Sequence, residues 1–93
     1  MSDLLRRYRV EGIVQGVGFR WFVQREAESL NLAGWVRNTT DGAVEVLAAG
    51  PAESLDLLVQ HLSHGPKASR VTKVTQEPGV EGETPPTGPF RIR

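Results

Sequence analysis

A pair of closely spaced glycines, set where a strand pattern gives way to a helix pattern, constrains this chain more than any other feature. Residues 12–20 read Gly-Ile-Val-Gln-Gly-Val-Gly-Phe-Arg. Polar and apolar residues alternate from Arg7 to Val14, with Tyr8, Val10, Gly12 and Val14 on one side, which is the period of a strand. After the glycines, Phe19, Phe22, Val23, Ala27 and Leu30 recur at helical spacing. A backbone that bends at Gly16 and Gly18 straight into a helix leaves main-chain N–H groups unpaired, and the helix adds partial positive charge there. Such a corner suits an anion. Arg20 adds a planar guanidinium able to grip two oxygens of one phosphate or carboxylate.

The rest of the chain supplies the partners for that corner. Asn31 suits a left-handed helix end, so the first helix is expected to close near Leu30. A second strand is read over Ala33–Asn38, a tight reversal over Thr39-Thr40-Asp41-Gly42, and an antiparallel third strand over Ala43–Ala49. Gly50-Pro51 opens a second helix with a buried stripe of Leu55, Leu58, Val59 and Leu62, and Gly65-Pro66 stops it. A fourth strand is read over Arg70–Gln76, an exposed loop over Glu77–Pro89, and a short edge strand over Phe90–Arg93. This order, βαββαβ with a possible fifth strand, predicts an α+β chain. The expected architecture is a ferredoxin-like α/β sandwich with two helices on one face of a four- to five-stranded mixed or antiparallel sheet.

The glycine-rich stretch resembles the signature of the acylphosphatase family, Gly-x-Val-Gln-Gly-Val-x-Phe/Tyr-Arg, with Ile13 and Gly18 at its variable positions. A second signature of that family is similar to Gly34, Trp35, Arg37, Asn38, Gly42, Val44 and Gly50. The resemblance runs from about Tyr8 to Arg93 and implies the same ferredoxin-like fold. It also implies that Arg20 and Asn38 form a catalytic pair. Phosphate binding is expected from Gln15, Gly16, Val17, Gly18, Phe19 and Arg20, through main-chain amides plus the one guanidinium, while the amide of Asn38 orients the attacking water.

This equipment points to one substrate class. Expelling an alkoxide from a phosphate monoester calls for a general acid or a metal, and the sequence offers neither an evident acid nor ligand-type residues at metal-binding spacing. An acyl phosphate expels a carboxylate, whose conjugate acid has a pKa of about 4, and needs no proton to leave. The reaction expected is hydrolysis of an acyl phosphate to a carboxylate and inorganic phosphate, with no cofactor and no metal. The proton acceptor would be an oxygen of the substrate itself.

Composition bounds the alternatives. Ninety-three residues are read as a single domain over 1–93, large enough to bury roughly two-thirds of the unfolded surface. Eleven basic and eleven acidic side chains cancel, so anion binding must be local, and neither nucleic acid nor membrane is expected as a partner. With no cysteine there is no disulfide and no thiolate nucleophile. No stretch has the length of a signal peptide or membrane span, and the chain is read as a cytoplasmic monomer.

Taken singly the signals are weak. The glycine pair alone is equally a plain turn; it fits neither the dinucleotide fingerprint nor the nucleotide P-loop. Asn38 alone is a turn residue. Trp35 is expected in the core beneath the sheet; Trp21, off the apolar stripe, is assigned to packing in preference to the pocket mouth. His61 and His64 are read as surface residues. Arg6, Arg7 and Arg9 are read as a solvated strand edge, and Arg91 and Arg93 as solvated, with the terminal carboxylate within reach of Arg20. The first rival function is a non-catalytic anion-binding or regulatory module on the same fold. A single-stranded RNA binder is disfavoured because the third strand lacks an aromatic pair on which bases stack.

Overall fold

The computed structural model describes residues 3–78 and 84–93. The chain runs β1 (Leu4–Ile13), α1 (Phe19–Ser29), β2 (Ala33–Asn38), β3 (Val44–Gly50), α2 (Ala52–His64), β4 (Arg70–Glu77) and β5 (Arg91–Ile92). These strands form a sheet in the order β4-β1-β3-β2-β5, with β5 parallel to β2 and the other pairings antiparallel. Both helices pack on one face of it, the arrangement expected from the element order.

Chemistry at the element ends sets these boundaries. α1 stops after Ser29, and Asn31 adopts a positive φ of 56° as the chain leaves for β2. α2 begins after the extended Pro51 and ends at Gly65, whose N–H still donates to the His61 carbonyl. Between β2 and β3 the reversal is tied by main-chain bonds from Thr39 N–H to the Ala43 carbonyl and from Gly42 N–H to the Thr39 carbonyl. Of the loop expected over Glu77–Pro89, Glu77 instead completes β4, residues 84–89 are irregular, and residues 79–83 lie outside the described residues. Among the described residues, no helix is long and apolar enough to cross a membrane.

The core lies between sheet and helices. Tyr8, Val10 and Val14 from β1 and its exit meet Phe19, Val23 and Ala27 of α1, Val36 of β2, Val44 and Val46 of β3, and Leu55, Leu58 and Leu62 of α2. Phe90, just before β5, is also buried there. It anchors the C-terminal strand that a loop rich in proline and glycine would otherwise leave adrift.

Two expectations are corrected here. Trp35 does not sit under the helices. Strand alternation gives the core face of β2 to Val36, so Trp35 shares the open face with Arg37, and the guanidiniums of Arg37 and Arg93 lie 5.2 and 4.6 Å from its ring centroid. Arg93 is exposed, as expected, but its guanidinium is stacked on that ring. β1 is flanked on both sides, by β3 and β4, and its arginines are no solvated edge: Arg6 pairs with Asp56 of α2 at 2.9 Å and Arg9 pairs with Asp41.

Asp41 makes the β2–β3 turn sensitive to acid. The Thr39 hydroxyl and then the Arg9 guanidinium hold its carboxyl at a pKa of about 2. The folded value lies below the unfolded one, about 3.9, so the contribution to stability is complete above pH 4 and disappears as pH falls through about 2. Urea unfolding at pH 5 and at pH 2 is expected to show Asp41→Asn clearly less stable than the parent only at the higher pH. A gap of the same size at both would contradict the assignment.

Candidate active site

The strand register explains why the corner and Asn38 meet. In the sheet Val44 of β3 pairs with Val10 of β1 on one side and with Asn38 of β2 on the other. The C-terminal ends of β1 and β2 therefore emerge at the same end of the sheet, separated by one strand. The chain leaves β1 at Ile13, runs through residues 14–18, and enters α1 at Phe19 beside the end of β2.

Gly18 decides what that entry offers. It occupies the cap position of α1 in the left-handed conformation, φ 77° and ψ 18°, after Gly16 at φ 74°. A side chain with a Cβ is disfavoured in this region by roughly 1–2 kcal/mol. An ordinary cap residue would place a Ser, Thr or Asp oxygen on the first helical amides; here no side chain caps the helix, and its first turn has no acidic residue. The helical ladder starts with Phe22 N–H donating to the Gly18 carbonyl. The N–H groups of Phe19, Arg20 and Trp21 thus have no helical acceptor. Among the described residues, no main-chain carbonyl takes the N–H of Gln15, Gly16, Val17 or Gly18 either.

A cleft of about 180 Å³ opens over this corner. Its lining includes Gly16, Gly18, Phe19, Arg20, Trp21 and Asn38, with Val14 and Ile92. Arg20 is held from behind: its Nη1 donates to the main-chain oxygen of Arg93 at 3.2 Å, and one turn on Gln24 Nε2 donates to the Phe90 carbonyl at 3.2 Å. Both bonds tie α1 to the residues that flank β5. Asn38 belongs to the same lining, and its side-chain oxygen Oδ1 is buried without a hydrogen-bond partner among the described residues. An orphaned acceptor of this kind costs about 1–3 kcal/mol unless something polar enters to meet it.

The fold thus brings Gly16, Gly18, Phe19, Arg20 and Asn38 to one cleft, whereas Gln15 and Val17 are not among its lining residues. The Gln15 side chain faces the neighbouring turn, where Nε2 donates to the carbonyls of Thr39 and Ala43, each at 2.8 Å. It braces the loop against the residue that follows Asn38. Trp21, assigned from the sequence to packing, instead stands 58% exposed at the cleft wall. Three or more His, Cys, Asp or Glu residues gathered as a metal site are not found among the described residues. His61 is used differently, its Nε2 lying 3.4 Å from Glu26 Oε2 between the two helices.

A protein-family model described as Acylphosphatase matches residues 6–92. The chain belongs to the acylphosphatase family. Among curated relatives, "Acylphosphatase" of Koribacter versatilis (strain Ellin345) is 56% identical over 89 residues, covering 94% of this chain and 77% of that protein. Among solved structures, an acylphosphatase from Coxiella burnetii superposes with a TM-score of 0.87 at 37% identity, covering 99% of this chain and 94% of that one. An acylphosphatase from Bacillus subtilis gives 0.81 at 45% identity, covering 97% and 99%. The acylphosphatase fold and the two signature stretches therefore coincide in one chain.

Proposed function

We propose that this member of the acylphosphatase family hydrolyses acyl phosphates, with the corner before α1 as the phosphoryl cradle, Arg20 as its clamp and Asn38 as the group that orients water. The observation that carries the reading is the convergence on one cleft of Arg20, Asn38 and the uncapped start of α1. The phosphoryl oxygens accept from the free amides and from the guanidinium, which leaves phosphorus facing Asn38. Water held by the Asn38 side chain attacks phosphorus as the bond from phosphorus to the bridging oxygen breaks. That bonding pair departs with the carboxylate, and the water proton passes to a phosphoryl oxygen, giving inorganic phosphate.

Positioning and charge stabilisation supply the rate, as in other phosphoryl transfers. No metal is called for, because the leaving carboxylate tolerates its charge.

Asn38→Ala separates catalysis from mere anion binding. It is expected to lower kcat for benzoyl phosphate by about 100- to 1,000-fold, while inorganic phosphate still competes with substrate at a similar concentration. Turnover equal to the parent would remove Asn38 from the mechanism; phosphate binding with no turnover in the parent protein would instead favour the anion-binding module.

A further inference from the structure

The apolar part of the cleft lining is the least expected part of the molecule. Trp21 is the bulkiest of the exposed hydrophobic side chains among the described residues, and it stands immediately after Arg20 in the first turn of α1. Tryptophan is usually well buried, so one left 58% exposed at a cleft invites a partner. Its ring is also held in place. The guanidinium of Arg25, one turn along the same helix, lies 4.6 Å from the ring centroid. Ile92 of β5, 40% exposed, lines the same cleft.

The cleft therefore has two chemically distinct parts. Gly16, Gly18, Arg20 and Asn38 offer donors, an acceptor and positive charge, whereas Trp21 and Ile92 offer apolar surface, one of it flat and rigid. An acyl phosphate is divided in the same way, into a charged phosphoryl group and an organic acyl group.

Resting on the phosphoryl placement proposed above, we infer that Trp21, with Ile92 beside it, forms the acyl-group subsite and selects acyl phosphates with planar or bulky apolar acyl groups over short ones. The acyl group stacks on the indole, and the gain is realised only when the phosphoryl group is seated at the corner. Arg25 acts on the ring rather than on the substrate, fixing its angle so that little ordering is left for binding to impose. A two-carbon acyl group is too small to cover the ring and gains little from it.

The test compares kcat/KM for benzoyl phosphate and acetyl phosphate in the parent, Trp21→Ala and Trp21→Phe. The ratio of the two values is expected to fall about 10-fold in Trp21→Ala and to be largely restored in Trp21→Phe, which keeps an aromatic face. Parallel loss with both substrates would make Trp21 a support of the loop, and an unchanged ratio would leave it idle; either overturns the inference.

Calorimetry with phenacylphosphonate and acetonylphosphonate, in which a methylene replaces the bridging oxygen, keeps the subsite separate from the chemistry. A preference for the phenyl compound that Trp21→Ala abolishes supports the subsite even if the parent turns over neither phosphate. Equal binding of the two compounds by the parent rejects it even if hydrolysis is fast.

Discussion

Arg20→Lys is expected to lower kcat/KM for benzoyl phosphate by at least about 1,000-fold while leaving the fold intact. A lysine preserves the charge, and a loss of that size must then come from geometry. The guanidinium of Arg20 spends one nitrogen on the main-chain oxygen of Arg93 and still has a fork of donors for the cleft. An ammonium bound to that oxygen has no rigid second arm to present. Steady-state kinetics together with far-UV circular dichroism check the point: activity within tenfold of the parent in a folded variant would show that charge alone suffices. The Arg20 side chain lies at the rim of the cleft, outside the buried core, so the substitution leaves core packing alone.

Gly34→Ala is expected to cost more than about 3 kcal/mol, a large share of the roughly 5–15 kcal/mol that holds a domain folded. Gly34 has φ 145°, and a Cβ there would collide with the carbonyl oxygen of Leu47 and come within 2.8 Å of its carbonyl carbon. Those atoms are backbone in the adjacent strand β3, so relief requires β2 and β3 to part. The same pairing carries Asn38 at its far end, opposite Val44. Chemical unfolding is the direct measurement. A midpoint close to that of the parent would mean that the sheet yields at this point far more easily than its ladder of bonds suggests.

The two substitutions also show which parts of the molecule could be read in advance. The corner was legible because its signal is local: two glycines at positive φ, a strand period before them and a helix period after them. The Asp-Gly reversal and the Asn31 helix end were legible for the same reason. What escaped depends on partners distant in sequence. Alternation along Ala33–Asn38 says that Trp35 and Val36 face opposite ways but not which face meets the helices. Arg93, far along the chain, gives the open face of Trp35 its cover.

Gln15 shows the same limit within the candidate site. The phosphate contact expected of it runs through its main-chain N–H, which no carbonyl among the described residues takes, whereas its side chain finds two carbonyls 24 and 28 residues away. Nothing in the local pattern distinguishes an amide that faces a ligand from one that braces a neighbouring turn. Trp21 was misassigned because bulk and apolarity normally argue for burial. Its position immediately after Arg20 was the available clue, since a helix that aims residue 20 at a cleft places residue 21 beside it.

The central claim is that free main-chain donors at the mouth of α1, completed by Arg20, form an anion site facing Asn38. Titration of ¹⁵N-labelled protein with inorganic phosphate at constant ionic strength tests it most directly. The account predicts saturable amide shifts concentrated at Gly16, Val17, Gly18, Phe19 and Arg20, with a matching response of the Asn38 side-chain amide. Saturable shifts centred elsewhere, or none at these residues while benzoyl phosphate is turned over, would contradict it.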